Sequence, residues 1–239
     1  MSRDLQIQVF RNDVWAAKCA QIIDDAVDSV LAVKDNVSVM LTGGRGAERV
    51  YREWANTLHS IKGKLTFYFG DERCVEPTDP ESNFAMVNTA LFNSDIPNNC
   101  TVVRLHGEAT DQSSEAQRYE ELLPLGLDIL LLSIGEDGHV ASLFPYADSL
   151  NESRHKVVAI VGPKAPKNRY TITPTVIRSS DQLFCFVSGE SKVTALKKVL
   201  ENPDDFLSIP ARLAIRGMWL LDESAGKLLD KQLKNSNTL

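Results

Sequence analysis

Asp128-Ile-Leu-Leu-Leu-Ser-Ile-Gly135-Glu-Asp137-Gly138-His139-Val-Ala-Ser142-Leu-Phe-Pro145 is the stretch whose reading decides the fold. Residues 129–132 form an apolar run too short for a helix, and such a run suits a strand covered on both faces. It gives way to Gly135, Asp137 and Gly138, which allow a tight turn, and then to His139. A polar turn at the carboxyl end of a buried parallel strand is where open α/β sheets place ligands. A single His in such a place is more often structural than catalytic. Asp137 alters that balance, because it stands two positions before His139 across a glycine. One turn can then present both side chains within hydrogen-bonding reach. A carboxylate that fixes the imidazole tautomer and raises its basicity makes a histidine a general base near neutral pH.

Outward from this strand, short apolar runs alternate with helical periods. Residues 6–10 read as a first strand, and Asn12 or Asp13 then caps a helix whose apolar face is Trp15, Cys19, Ile22, Ile23, Ala26 and Val30. Strands follow at 37–41, 65–69, 101–105, 156–161, 182–187 and 218–221. Between them lie a helix with Val50, Trp54 and Leu58 four apart, one with Phe84, Val87 and Leu91, and one opened by Asp111. Thr173-Pro174 opens a short helix, and a longer one spans 190–200 with Lys192 in its first turn. Pro163 and Pro166 disfavour helix between 162 and 173. This alternation predicts an α/β chain with a mainly parallel sheet and helices on both faces, folded as a single domain over residues 1–239.

A chain of 239 residues is long enough for a sizeable core. Its formal net charge of −6 argues against nonspecific nucleic-acid binding, which needs a basic footprint. It leaves room for an anionic small substrate held by a local cluster of Arg and Lys. The four cysteines, Cys19, Cys74, Cys100 and Cys185, form no CxxC pair, so reduced thiols are expected rather than a disulfide framework or zinc site. The N-terminus lacks the apolar core of a signal peptide, and no apolar run approaches a membrane span. A cytoplasmic protein with no membrane partner is the expectation.

Three further places carry candidate chemistry. Gly43-Gly44 sits at a strand–helix junction, where glycines let the backbone approach an anion and the following helix offers its free N–H groups. Neither a GxGxxG fingerprint nor a Gly-Lys-Ser/Thr P-loop is present. Arg45 adds a cation to the loop. Asp71-Glu72-Arg73 follows the strand at 65–69; read alone, three adjacent charges are a solvated cluster. Arg169 and Lys192 also follow strands, and either alone is a surface cation. With parallel strands, however, Arg45, Arg73, Arg169 and Lys192 gather at one end of the sheet. A cationic mouth on an acidic chain points to a phosphorylated substrate. Ser142 stands three residues after His139 without a Gly-x-Ser-x-Gly elbow, so it reads as a structural hydroxyl. No set of His, Cys and carboxylate residues has metal-ligand spacing.

Over nearly its whole length the sequence resembles the 6-phosphogluconolactonase family. Asp137-Gly138-His139-Val-Ala-Ser142-Leu143-Phe144-Pro145 is similar to that family's Asp-Gly-His-Thr-Ala-Ser-Leu-Phe-Pro block. Asp71-Glu72-Arg73 with Ser82-Asn83 resembles a second block, Pro163-Lys164-Ala-Pro166 with Arg169-Tyr-Thr171 a third, and Gly189-Glu-Ser-Lys192 a fourth. The phosphate loop departs from the pattern: the family usually has Ser-Gly-Gly-Ser-Thr-Pro, and this chain has Thr42-Gly43-Gly44-Arg45-Gly46-Ala47. Ser133 and Glu136 stand where Gly and Pro are common.

The resemblance implies a Rossmann-like sheet and hydrolysis of 6-phospho-D-glucono-1,5-lactone without metal or organic cofactor. His139 would be the base, Asp137 its orienting partner, and Arg73 or Arg169 the oxyanion stabiliser. Gly43, Gly44, Arg45, Asp71, Asn83 and Lys192 would bind the substrate. A sugar-phosphate deaminase or isomerase of the glucosamine-6-phosphate type is the rival, with Asp71 as base. Its Asp-Gly-His turn continues into Phe-Asn-Glu-Pro, whereas Ser142-Leu143-Phe144-Pro145 here has no carboxylate. A noncatalytic sugar-phosphate sensor is the alternative from outside enzymology.

Overall fold

Seven parallel strands make the main sheet, in the order Gln6–Phe10, Met218–Asp222, Gln182–Val187, Ile129–Ser133, Asn36–Leu41, Lys64–Phe69 and Cys100–Val102, and three antiparallel strands, Asp71–Arg73, Asn168–Ile172 and Val157–Val161, make a second. A computed structural model describes residues 5–201, 205–227 and 229. In chain order the elements are β1 (Gln6–Phe10), α1 (Trp15–Leu31), β2 (Asn36–Leu41), α2 (Arg45–Leu58), β3 (Lys64–Phe69) and β4 (Asp71–Arg73). Then come α3 (Asn83–Ala90), β5 (Cys100–Val102), α4 (Gln112–Leu122), β6 (Ile129–Ser133), β7 (Val157–Val161) and β8 (Asn168–Ile172). The chain continues through α5 (Pro174–Ser179), β9 (Gln182–Val187), α6 (Val193–Glu201), β10 (Met218–Asp222) and α7 (Glu223–Gly226).

The central strands are buried because their sequences are apolar at nearly every position. Val37 and Val39 to Leu41 of β2, and Ile129 to Leu132 of β6, are buried throughout. α2 turns Val50, Tyr51, Trp54, Ala55 and Leu58 inward and leaves its arginines outside. Each buried indole N–H finds an acceptor: Trp15 at Leu220 O, Trp54 at Asp24 Oδ1 and Trp219 at Ala214 O. From β2 the sheet grows outward through β3 and β5; on the other side of β2 it grows through β6, β9 and β10. The direction of growth reverses between β2 and β6, and the crevice at such a switch point is where open α/β sheets bind ligands. Among the described residues, no helix is long and apolar enough to cross a membrane.

The structure departs from the sequence expectation in several places. Residues 156–161 were expected in the parallel sheet, but β7 pairs antiparallel with β8 across the turn at 162–167. That turn is closed by Gly162 N donating to Lys167 O, so its two prolines shape a hairpin. Asp71-Glu72-Arg73 is no solvated cluster: it is a strand, β4, paired with β8. Arg169 lies within β8 rather than after a strand. Neither Asn12 nor Asp13 caps α1, which begins after Val14 without a side-chain cap. Asn12 instead accepts from Ser224 N and Oγ, and Asp13 pairs with Arg11. The strand expected at 101–105 is only Cys100–Val102, and a 3-10 turn, Glu190–Lys192, precedes α6. Thr173 stands at the N-cap of α5, yet its hydroxyl donates to His155 O.

Candidate active site

A cavity of about 530 Å³ opens at the carboxyl ends of β2, β6 and β9, against β4 and β8 of the small sheet. The turn after β6 supplies its titratable pair. Nδ1 of His139 lies 2.5 Å from Oδ1 of Asp137, and His139 N donates to the same oxygen. The His139 side chain is 22% exposed, which leaves the ring reachable from the cavity it lines. Burial works to raise the Asp137 carboxyl, but the hydrogen bond and charge of His139, with Lys164 beyond, outweigh it and hold the carboxyl well below its usual range. The His139 ring also lies 4.8 Å from the Phe144 ring, so the imidazole is held at one nitrogen and along one side. Gly135 makes the arrangement sterically possible: a Cβ there would lie 2.1 Å from His139 Nδ1.

From β2, Gly43 and Gly44 lead into α2, whose first turns carry Arg45 and Arg49 toward the cavity. Four residues apart, they share one helix face. Arg45 is exposed and, among the described residues, has no carboxylate partner. Arg49 donates to Ser188 Oγ and Asn12 O and lies 5.1 Å from the Trp15 ring. Lys192 and Lys164 complete this side. Burial pulls the Lys192 ammonium down, against Glu136 and Asp137, which hold it up.

The small sheet brings the other two arginines. Arg73 donates to Glu81 O, and among the described residues its buried Nε has no hydrogen-bond partner. Arg169 is buried; its Nε donates to Pro166 O, Nη1 lies 3.4 Å from Ser142 Oγ, and the guanidinium sits 5.7 Å from the Phe144 ring. Burial first, and the charge of Arg73 second, lower its pKa. Asp71 faces the cavity with both oxygens engaged: Oδ2 accepts from Ser142 Oγ at 2.7 Å and Oδ1 from Asn83 Nδ2 at 3.1 Å. Glu72 accepts from the backbone N–H groups of Arg73, Asn83 and Phe84 and from Ser82 Oγ, and so caps α3. Burial drives its carboxyl up against these donors.

Of the residues singled out in the sequence, Gly43, Gly44, Arg45, Asp71, Arg73, His139, Arg169 and Lys192 line this one cavity. Asn83 does not line it. Its amide is spent on Asp71 and packs behind Gly43, where a Cβ would lie 2.1 Å from Asn83 Oδ1. Asp137 acts from behind His139. Sequence reasoning passed over Arg49 and Ser188, noted Glu136 only as a departure from the family's pattern, and used Lys164 only as part of a resembling block. Arg49 had a readable signal, its four-residue spacing from Arg45; Lys164 depends on the hairpin, which no local pattern announces. Among the described residues, no three His, Cys, Asp or Glu side chains gather as metal ligands do.

Comparison with known proteins agrees in fold. A family model for glucosamine-6-phosphate isomerases/6-phosphogluconolactonase matches residues 11–220. A 6-phosphogluconolactonase of Treponema pallidum (strain Nichols) is 31% identical over 221 residues, covering 88% of this chain and 89% of its own length. Among solved structures, 6-phosphogluconolactonase from Trypanosoma brucei superposes with a TM-score of 0.78 at 26% identity, covering 95% of this chain and all of that one. A monomeric glucosamine-6-phosphate deaminase reaches the same TM-score at 24% identity, over 94% of this chain and all of its own, which shows a shared fold alone. With a family match over most of its length and a relative of that identity and coverage, the chain belongs to the glucosamine-6-phosphate isomerase/6-phosphogluconolactonase family.

Proposed function

We propose that this chain hydrolyses 6-phospho-D-glucono-1,5-lactone to 6-phospho-D-gluconate, a step of the oxidative pentose phosphate pathway. The observation that carries the reading is the Asp137–His139 pair, 2.5 Å apart in a cavity ringed by cations on an acidic chain. The activity named for the T. pallidum relative supports the choice of substrate.

Asp137 accepts a hydrogen bond from Nδ1–H, so Nε2 is the nitrogen left with a lone pair to take a proton from water. The water oxygen bonds to the lactone carbonyl carbon, and the carbonyl oxygen gains the negative charge. Arg73 or Arg169 faces that charge; one such donor is worth roughly 3 kcal/mol. The tetrahedral species then expels the ring oxygen, which takes the proton back from His139, and the free acid results. A positioned base contributes about 10²–10⁴-fold, enough for a lactone that also opens unaided. Gly43, Gly44, Arg45 and Lys192 hold the phosphate, where the α2 N-terminus and the two cations favour a dianion. Asp71 orients Ser142, and Asn83 steadies Asp71.

The deaminase reading would make Asp71 the base. Both of its oxygens already accept side-chain hydrogen bonds, which suits a positioning carboxylate better. The test is hydrolysis of freshly generated 6-phosphogluconolactone, coupled to 6-phosphogluconate dehydrogenase, with and without EDTA. Acceleration over the spontaneous rate, surviving EDTA and lost in His139→Ala, is expected. No acceleration, acceleration that survives in His139→Ala, or ammonia release from glucosamine 6-phosphate would overturn the reading.

A further inference from the structure

A well-connected buried acid outside the cavity is Asp222, at the junction of β10 and α7. It is 3% exposed and does not line the cavity. Its Oδ2 accepts from Ser188 Oγ at 2.7 Å, both oxygens lie 3.0 Å from Gly189 N, and Oδ1 accepts from Ala225 N at 2.8 Å. Burying a carboxylate is costly unless its oxygens are well supplied with donors, and these bonds supply them. Two of the three donor groups belong to the turn after β9, the turn that carries Lys192 to the cavity wall.

The network extends further. Ser188 Oγ, while donating to Asp222, accepts from Arg49 Nη1 at 3.1 Å. The other Arg49 Nη donates to Asn12 O at 3.2 Å. One carboxylate therefore anchors the Ser188–Gly189 turn directly and the Arg49 guanidinium through a single hydroxyl. Arg49 and Lys192 approach the cavity from different elements, α2 and the turn after β9. Ser188 and Asp222 give the two a common hydrogen-bonded anchor.

We propose that Asp222 is a positioning residue of the anion subsite, fixing the Lys192 turn and the Arg49 guanidinium relative to each other without touching the substrate. The proposal rests on the reading of this cavity wall as the phosphate-holding side. Because the phosphate keeps its charge throughout the reaction, loosening its cradle weakens ground state and transition state alike, which raises KM and leaves kcat. A purely structural role would lower stability and the active fraction, without moving KM.

The test compares wild type, Asp222→Asn and Ser188→Ala. Binding of inorganic phosphate is measured by calorimetry, and kcat and KM with the lactone. In Asp222→Asn the new side chain matches the shape of the old one but turns an N–H pair toward one of the existing donors. Affinity for phosphate should then fall about tenfold, with KM rising by a similar factor and kcat within about twofold. Ser188→Ala keeps the Gly189 and Ala225 bonds and should weaken phosphate by about threefold. Unchanged phosphate affinity in a folded Asp222→Asn, or a kcat loss at constant KM, overturns the proposal. If Asp222→Asn does not fold, Ser188→Ala decides, and unchanged affinity there overturns it. Wild type that binds phosphate but leaves the lactone alone overturns the lactonase reading, while the variants still test Asp222. Wild type that binds no phosphate overturns the proposal itself.

Discussion

Gly135→Ala strikes the dyad without altering either of its members. The added methyl would lie 2.1 Å from His139 Nδ1, 2.2 Å from His139 Cε1 and 2.7 Å from Asp137 Oδ1. Ordinary contact between such atoms begins near 3.5 Å, so the ring must retreat by roughly 1.4 Å, and the Nδ1–Oδ1 bond cannot survive in place. Displacement of about 1 Å in a reacting group costs on the order of 10²-fold. The fold need not suffer in proportion. The imidazole is 22% exposed and can swing outward, and Gly135 N still donates to His139 O. Overpacking of this kind costs about 1–3 kcal/mol.

Expected, then, is a fall in kcat of about 10²-fold with KM for the lactone little changed, since on the proposed reading the phosphate is held by the turns after β2 and β9. The decisive assay is a double-mutant cycle. If Gly135 matters only through His139, adding Gly135→Ala to His139→Ala should reduce turnover no further than His139→Ala alone. Near-normal turnover in folded Gly135→Ala, or a further tenfold loss in the double variant, would refute the reasoning.

Asp137→Asn keeps an acceptor for Nδ1–H but removes its charge; charged and neutral acceptors differ by about 1–1.5 kcal/mol, so turnover should drop about tenfold, and an unchanged rate would count against the pair. The same carboxyl gives a pH test: its pKa is lower folded than unfolded, so its stabilisation is present above about pH 4 and fades below it. The gap in urea midpoint between wild type and Asp137→Asn should therefore narrow from about pH 5 to about pH 3, and a constant gap would refute the linkage. Arg45→Ala should raise KM about fivefold at low salt, less at high salt, with kcat unchanged; a kcat effect would move Arg45 off the phosphate. Burial pushes the Cys74 and Cys100 thiols up to about 11 and those of Cys19 and Cys185 further, so Ellman's reagent near pH 8 should titrate no thiol rapidly in the native protein and all four after denaturation.

The parallel sheet was legible because its central strands are buried on both faces and so carry unbroken apolar runs. Residues 37–41, 129–132 and 182–187 needed no partner to be recognised. The second sheet was not legible, for a reason visible in β4. Asp71, Glu72 and Arg73 look like a surface cluster until α3 supplies Glu72 with backbone donors and Ser142 supplies Asp71 with a hydroxyl 71 positions away. Their burial is compensated by partners that only the folded chain brings up, across the loop before α3 for Glu72 and from the far turn after β6 for Asp71. Asn12 fails as a local cap for the same reason, since the groups that donate to it belong to Ser224. The Asp137–His139 pairing, by contrast, spans two residues, and one turn suffices to make it.

The cations divide by electrostatic neighbourhood, and the division has kinetic meaning. Lys192 senses Glu136, Asp137, Arg45 and Lys164, while Arg169 senses Arg73, Asp71 and Glu81. The first group hangs on α2, the turn after β9 and the hairpin tip; the second is built into the small sheet. A phosphate dianion carries the same charge in substrate and transition state, so a cation that faces it contributes uniform binding and shows itself in KM. A carbonyl oxygen gains charge only as water attacks, so a cation that faces it shows itself in kcat. On the proposed reaction, Arg45 and Lys192 belong to the KM class, and at least one of Arg73 and Arg169 must move kcat. Were all four to move KM alone, the cavity would be a phosphate binder whose chemistry rests on the Asp137–His139 pair without an oxyanion partner. The loss from His139→Ala would then have to account for nearly the whole rate enhancement.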